Sequence, residues 1–351
     1  MDFSLFYFGN DDPAPDGAGR YDLVLDGARF ADTHDFAAVW TPERHFHPFG
    51  GLYPNPAVTG AALAAATSRV AIRAGSVVAP LHHPLRIAEE WAVVDHLSAG
   101  RVGLAFASGW HATDFALRPE AYENRREVLV DTVRQVRGLW RGEEAEVLDG
   151  TGAARRVRSY PRPVQAELPV WITSAGGAET FRAAGALGAG VLTHLLGQDP
   201  ADLAEKTAAY REAYAARPDA VPGDRGHVVC MVHTLLGEDE DATRELVREP
   251  LTRYLRTSVN LLLASQAHGG ARRLDPAKLR DKDLDFLAAR AFDRLYEDGG
   301  LLGTLPKAAR LVGSLAAAGV DEVACLIDFG APAKTVLDAL PLLDELRRNS
   351  A

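Results

Sequence analysis

Cysteine is scarce: the 351-residue chain has two, Cys230 and Cys325. Both fall inside β-like apolar runs, where buried core thiols are expected rather than a disulfide or a metal centre. Positive charge is in deficit as well. Lys and Arg number 38 against 48 Asp and Glu, a formal net charge of −10, which argues against nucleic acid or an anionic membrane as main partner. No apolar run reaches the roughly 18 residues that would span a bilayer. The opening residues, MDFSLFYFGND, have neither a basic segment nor a small-residue cleavage site, so a cytoplasmic location is expected. The patterns GxGxxG, GxxxxGKS/T and GxSxG are missing too. Their absence speaks against a Rossmann dinucleotide site, a nucleoside-triphosphatase loop and a serine-hydrolase elbow.

What is present is an alternation of short apolar runs with amphipathic stretches. Phe3–Phe8, Ala37–Trp40, Val70–Ala79, Val102–Ala107, Val170–Thr173, Val191–Leu195, His227–Leu236 and Glu322–Asp328 read as strands. Helical patterns lie between them, at Tyr21–His34, Pro56–Thr67, from Pro84 to a glycine stop at Gly100, Ala121–Trp140, Ala178–Leu187, Pro200–Ala215, Asp239–Leu263 and Leu305–Ala318. In the Pro84 helix, Leu85, Ala88, Trp91, Ala92 and Leu97 share one face. Repeated β-then-α order implies parallel strands with crossover helices. About eight such units in one chain predict a single (β/α)8 TIM barrel over residues 1–351, with a doubly wound sheet as the runner-up. Two segments exceed the minimal repeat: a polar insertion at 141–162, before the fifth strand, and a longer one at 264–300, before the last helix–strand unit. The second is either a lid or a surface helix.

In a barrel, catalytic groups come from the C-terminal ends of strands. The loop after the second strand, Trp40-Thr41-Pro42-Glu43-Arg44-His45-Phe46-His47, concentrates a carboxylate, a guanidinium and two imidazoles at such an end. Histidine can move a proton near neutral pH, and an extended backbone would aim His45 and His47 the same way. A zinc site is weaker, because no second ligand pair has metal-like spacing. His82-His83-Pro84 follows the third strand and reads as structural. Gly75-Ser76 interrupts that strand, as glycine does where a ligand approaches the backbone. After the fifth strand, Thr173-Ser174-Ala175-Gly176-Gly177-Ala178-Glu179-Thr180 offers free N–H groups at a helix start, a ready anion site. Asn124-Arg125-Arg126 begins another helix, where an arginine pairs with a phosphate or an acidic side chain.

Five segments together resemble the bacterial luciferase-like flavin monooxygenases: VWTPERHFHPFGGLYPNPAV, SVVAPLHHPLRIAEEWAVVDHLSAGRVGLAFASGW, NRREVLVD, PVWITSAGG and GVDEVACLIDFG. The loop TPERHFHPFGGLYPNP and the closing ACLIDFG look most like the branch found in natural-product biosynthesis. The resemblance implies a barrel that binds reduced FMN at its C-terminal mouth. Dioxygen adds to the flavin, and the hydroperoxide oxidises an organic substrate, small or carrier-tethered. Reduced flavin would come from a separate reductase.

By position, the resemblance places Gly75-Ser76 where the family often has a non-proline cis peptide beside the flavin ring. Ser108, Gly109 and Trp110 match the loop along the flavin tail, and Arg126 with Gly176, Gly177 and Thr180 matches the phosphate clamp. His45 matches the second member of a luciferase His-His pair, with His47 as alternate for proton delivery. The first member is Arg44 here, which argues against light emission; an arginine cannot act as a base but can stabilise negative charge. Ser108 stands where luciferases have an arginine, so the phosphate contacts must be redistributed. Two other readings stay open: a deazaflavin-dependent oxidoreductase of the same fold, and a non-catalytic flavin-binding partner subunit. The small-residue helix Pro56–Thr67 and the helix after it are expected to form a homodimer.

Overall fold

The computed structural model describes residues 1–11, 19–266 and 280–350. In chain order the elements are β1 (Asp2–Phe6), α1 (Asp22–Thr33), β2 (Ala38–Thr41), α2 (Pro56–Ala66), β3 (Ala71–Val78), α3 (Pro84–Ser98), β4 (Val102–Ala107) and α4 (Arg125–Arg141). Then come β5 (Ala145–Leu148), β6 (Ala154–Val157), β7 (Val170–Thr173), α5 (Ala178–Ala186), β8 (Gly190–His194), α6 (Pro200–Ala215), β9 (Val228–Leu236) and α7 (Glu240–Gln266). The chain ends with α8 (Asp281–Arg294), β10 (Leu301–Gly303), α9 (Leu305–Ala317), β11 (Glu322–Leu326) and α10 (Ala333–Asn349).

Eight of the strands close a parallel barrel in the order β1-β2-β3-β4-β7-β8-β9-β11, with β11 returning to β1. The expected (β/α)8 TIM barrel is therefore what the chain forms. Its helices start where the sequence supplies caps. Asn55 accepts the Ala57 and Val58 N–H groups ahead of Pro56, and Asp199 closes a reciprocal box with Asp202 ahead of Pro200.

Several details differ from the sequence reading. The segment 141–162 is not merely a polar loop, since β5 and β6 form an antiparallel hairpin. Of the 264–300 insertion, residues 267–279, with Gly269-Gly270 and Arg272-Arg273, lie outside the described residues. Its remainder holds α8 and a π-helical turn at Leu295–Gly299, and the short β10 that follows it pairs with the end of β9. The helix expected from Ala121 starts at Arg125, after 3-10 turns at Ala112–Leu117 and Pro119–Ala121. The stop of α3 is Ala99 in the left-handed region, followed by Gly100 at φ 82°. Leu97 is exposed, because the buried face of α3 runs through Ile87, Ala88, Trp91, Val94 and Asp95. A final helix, α10, had no counterpart in the expected count; Pro341 in its interior masks the helical pattern.

The segment 95–101, from the end of α3 up to β4, serves the lower rim of the barrel. Buried Asp95 accepts the N–H groups of Val164 and Gln165 and the Gln165 amide. Arg101 ties the end of α2 to the start of β4 through the carbonyls of Thr67 and Val70.

The barrel interior follows from register, since side chains paired across neighbouring parallel strands point the same way. Phe6 pairs with Trp40, Trp40 with Arg73, and Ala105 with Trp171. The Arg73 guanidinium lies 4.9 Å from the Trp40 ring and 4.6 Å from Trp171, and donates to Glu322 Oε2 at 2.7 Å. Trp40 Nε1 donates to Glu322 Oε1 and Ser4 Oγ, each at 3.0 Å. Burial works to raise the Glu322 pKa, but the Arg73 charge prevails and holds it below the usual 4.5. Asp2, His227 and Glu322 bring potential ligand atoms within 4.8 Å of one another, yet both Glu322 oxygens are already engaged.

Candidate active site

The loop after β2 does not remain extended. Phe46 takes φ 54°, so the two histidines part. His45 turns down to the buried Glu43, and His47 stays near the surface with its Nδ1 accepting the Phe49 N–H at 3.0 Å. The shared aim expected for His45 and His47 is lost at that one residue.

Glu43 is a hub. Its Oε1 accepts from His45 Nε2 at 2.8 Å and from His82 Nε2 at 2.6 Å, and its Oε2 accepts the Val78 N–H at 2.7 Å. The hub ties the β2 loop to the end of β3. Burial would raise the Glu43 pKa, but the hydrogen bonds from His45 and His82, with the His82 charge, hold it below 4.5. Burial would lower His82, but the bond to Glu43 and its charge hold it above 6.5. A raised histidine stabilises the fold fully below 6.5, and that contribution fades as pH rises through the raised value. A lowered carboxyl stabilises above 4.5, and its contribution fades as pH falls through the lowered value. The pair therefore contributes most between pH 4.5 and 6.5. Urea unfolding of wild type and His82→Gln is expected to show a larger stability gap at acidic than at alkaline pH. An unchanging gap would refute the linkage.

Beside this hub sits a second buried pair. Arg44, 1% exposed, donates through Nη1 to both carboxylate oxygens of Asp114. Asp114 comes from the 3-10 turn after β4, and burial pushes its carboxyl up against the attraction of Arg44. The guanidinium carbon lies 5.4 Å from the Trp110 ring. Among the described residues, Arg44 Nε and Nη2 are buried without a hydrogen-bond partner, as is His111 Nδ1. The His47 and His111 rings are 6.4 Å apart. Burial, then the Arg44 charge, lowers the pKa of both, so each is neutral near pH 7. Unused donors on a buried cation are costly unless an acceptor meets them.

In β3, the Gly75–Ser76 peptide is cis, the feature the resemblance implies for this strand. Ser76 Oγ lies 2.5 Å from Thr173 Oγ1, joining the mouths of β3 and β7. A Cβ on Gly75 would collide with Phe6 and approach Trp40, so this strand rests on the aromatic floor of the barrel. Gly109 has φ 76°, and a Cβ there would meet Phe115 at 2.7 Å; only glycine suits this bend. Ser108 is half-buried beside it and Trp110 is 38% exposed.

The last part of the mouth is the turn into α5. Gly176, at φ 102°, donates its N–H to Ser174 Oγ at 3.2 Å. Gly177 is the N-cap, with no side-chain cap bond. Thr180 Oγ1 stands 3.5 Å from a Cβ placed on Gly177. The first N–H groups of a helix have no intrahelical acceptor, so this end suits an anion. Arg126 is exposed on the first turn of α4, and among the described residues no hydrogen bond or ion pair holds it.

The structure thus gathers Arg44, His47 and Trp110 around Asp114 and His111. It sends His45 to Glu43 and His82, and sets Gly176, Gly177 and Thr180 at a separate helix start. Glu43, Asp114, His111 and His82 join this cluster as candidate site residues beyond those that the sequence singles out. Glu43 was visible within the loop motif; Asp114 carries no local signal.

The family profile of luciferase-like monooxygenases matches residues 1–322. The oxygenase component of the flavin-dependent trigonelline monooxygenase of Acinetobacter baylyi is 29% identical over 157 residues, 44% of this chain and 43% of that protein. The chain aligns with less than two thirds of the length of its first curated relatives, between 43% and 61%. Among solved structures, monooxygenase RslO1 from Streptomyces bottropensis superposes with a TM-score of 0.79 at 23% identity, covering 98% of each chain. The FMN complex of the oxygenating constituent of 3,6-diketocamphane monooxygenase from Pseudomonas putida gives 0.74 at 16% identity, covering 100% of this chain and 98% of that one. Other neighbours of the same fold are F420-dependent enzymes. At such identities the structures speak for the fold; the profile, which spans nearly the whole chain, speaks for the family. The chain belongs to the luciferase-like monooxygenase family.

Proposed function

We propose that this chain, as one domain over residues 1–351, is the oxygenase of a two-component FMN-dependent monooxygenase. It receives reduced FMN from a separate reductase in the cytoplasm. Its substrate is an organic intermediate of natural-product biosynthesis, small or carrier-tethered. The observation that carries the reading is the buried Arg44 in the loop after β2 of a barrel of this family, two of whose donors have no hydrogen-bond partner among the described residues. Among the described residues no helix is long and apolar enough to cross a membrane.

Gly75, Ser76, Ser108, Gly109 and Trp110 would hold the ring and tail, and Gly176, Gly177 and Thr180 the phosphate. Reduced flavin supplies the electrons that activate dioxygen. The protein's part is to position, exclude water and supply charge. Arg44 offers its free N–H groups where negative charge develops. His47 and His111, neutral at pH 7, can accept or release a proton there, while His45 acts from its place on Glu43. His45→Ala is expected to alter substrate oxidation or peroxide leakage.

Anaerobic titration with reduced FMN, followed by a pulse of oxygenated buffer, tests the reading. Tight binding and a transient spectrum distinct from both reduced and oxidised flavin support it. Tight binding without a transient favours a non-catalytic partner subunit. Binding of reduced deazaflavin but not reduced FMN favours the alternative that the F420-dependent neighbours suggest.

We also place a homodimer interface on α2 and α3. Grooves of about 360 Å3 and 470 Å3 flank α2, and Val58 (68%) and Val93 (46%) are exposed beside them. Sedimentation at micromolar concentration tests this, and a monomer there would count against it.

A further inference from the structure

Lys206, on α6, lies outside every group assigned so far. Its Nζ stands 3.5 Å from the position a Cβ on Gly176 would take, against the turn that opens α5. It donates to Gln198 Oε1 at 2.7 Å. Gln198 is 5% exposed, and its own Nε2 donates to Thr193 Oγ1 at 3.0 Å and to the His194 carbonyl at 2.6 Å. Thr193 Oγ1 in turn donates to the Ser174 carbonyl at 2.9 Å. These bonds fix the amide with its oxygen toward the ammonium, so Lys206 is aimed rather than free to sweep through solvent.

Among the described residues no carboxylate lies within ion-pair distance of Lys206, whereas Lys307 and Lys334 pair with Glu240 and Asp338. The positive end of α5 faces it, with no side chain capping the helix. A cation beside a helix N-terminus is unfavourably placed on its own. The two become complementary when an anion bridges them. Arg126, the cation expected here from the sequence, is exposed, and among the described residues no hydrogen bond or ion pair holds it.

We propose that Lys206, oriented by Gln198, binds the phosphate monoester of FMN at the α5 N-terminus and makes the site prefer FMN over riboflavin. This rests on the FMN reading above and assigns the charge that reading lacked. Anaerobic calorimetric titration of the full chain with reduced FMN and with reduced riboflavin tests it. Wild type is expected to favour FMN. Lys206→Met is expected to weaken FMN roughly tenfold to a hundredfold, the range of a lost charge-assisted hydrogen bond, and to leave riboflavin unchanged. Lys206→Arg restores most of the difference, and thermal unfolding of the variants confirms the fold. A wild-type preference for FMN that survives Lys206→Met overturns the role of Lys206 and leaves the FMN reading standing. Equal weakening toward both flavins overturns it as well, because the role is then structural. Wild type that binds the two flavins equally, or neither, overturns the phosphate site itself.

Discussion

Glu322→Leu is expected to lower folding stability by about 3–5 kcal/mol, because it strands the Arg73 guanidinium inside the barrel without its counter-charge. The carboxylate it removes is fully buried, accepts from Arg73 and Trp40, and is held ionised by the Arg73 charge. Urea unfolding followed by tryptophan fluorescence reads the loss, since Trp40 and Trp171 stack against that same guanidinium. The double variant Arg73→Met, Glu322→Leu removes both charges together and is expected to recover much of the stability. If the single variant proved as stable as wild type, the pair would not be an energetic unit.

Arg44→Met is expected to reduce substrate oxidation by roughly 100-fold or more, on the scale of a lost charge-stabilising donor. It should also cost about 3–5 kcal/mol of stability, since Asp114 is left buried with its charge unmet. The two effects separate in the double variant Arg44→Met, Asp114→Leu, where stability returns but oxidation does not. Oxidation that returned together with stability would show that Arg44 only holds the loop in place. Coupling of oxygen consumption to substrate turnover is the readout.

The framework of this chain was legible in its sequence because it is written locally. Continuous apolar runs such as Val102–Ala107, Pro at helix starts and the glycines after strands each act within a few residues of themselves. That is enough to count β/α units and to say which loops open on the mouth. Ambiguous local signals leave some elements illegible. Pro341 hid α10, and the 3-10 turns around Asp114 passed for loop and helix. The site was legible in part. The loop holding Glu43, Arg44, His45 and His47 was visible as a concentration of charge, but not the fate of each side chain within it.

Sequence alone determined that the chain would form a parallel β/α barrel and which stretches would crowd its mouth, because periodicity and capping depend on neighbours along the chain. Only the tertiary structure decided the pairings. Arg44 meets Asp114 across 70 residues, Ser76 meets Thr173 across 97, and Arg73 meets Glu322 across 249. Those partners are set by strand register around a closed barrel, and by a single left-handed residue, Phe46, that sends His45 and His47 apart. Register is a property of the whole sheet, so no local pattern encodes it.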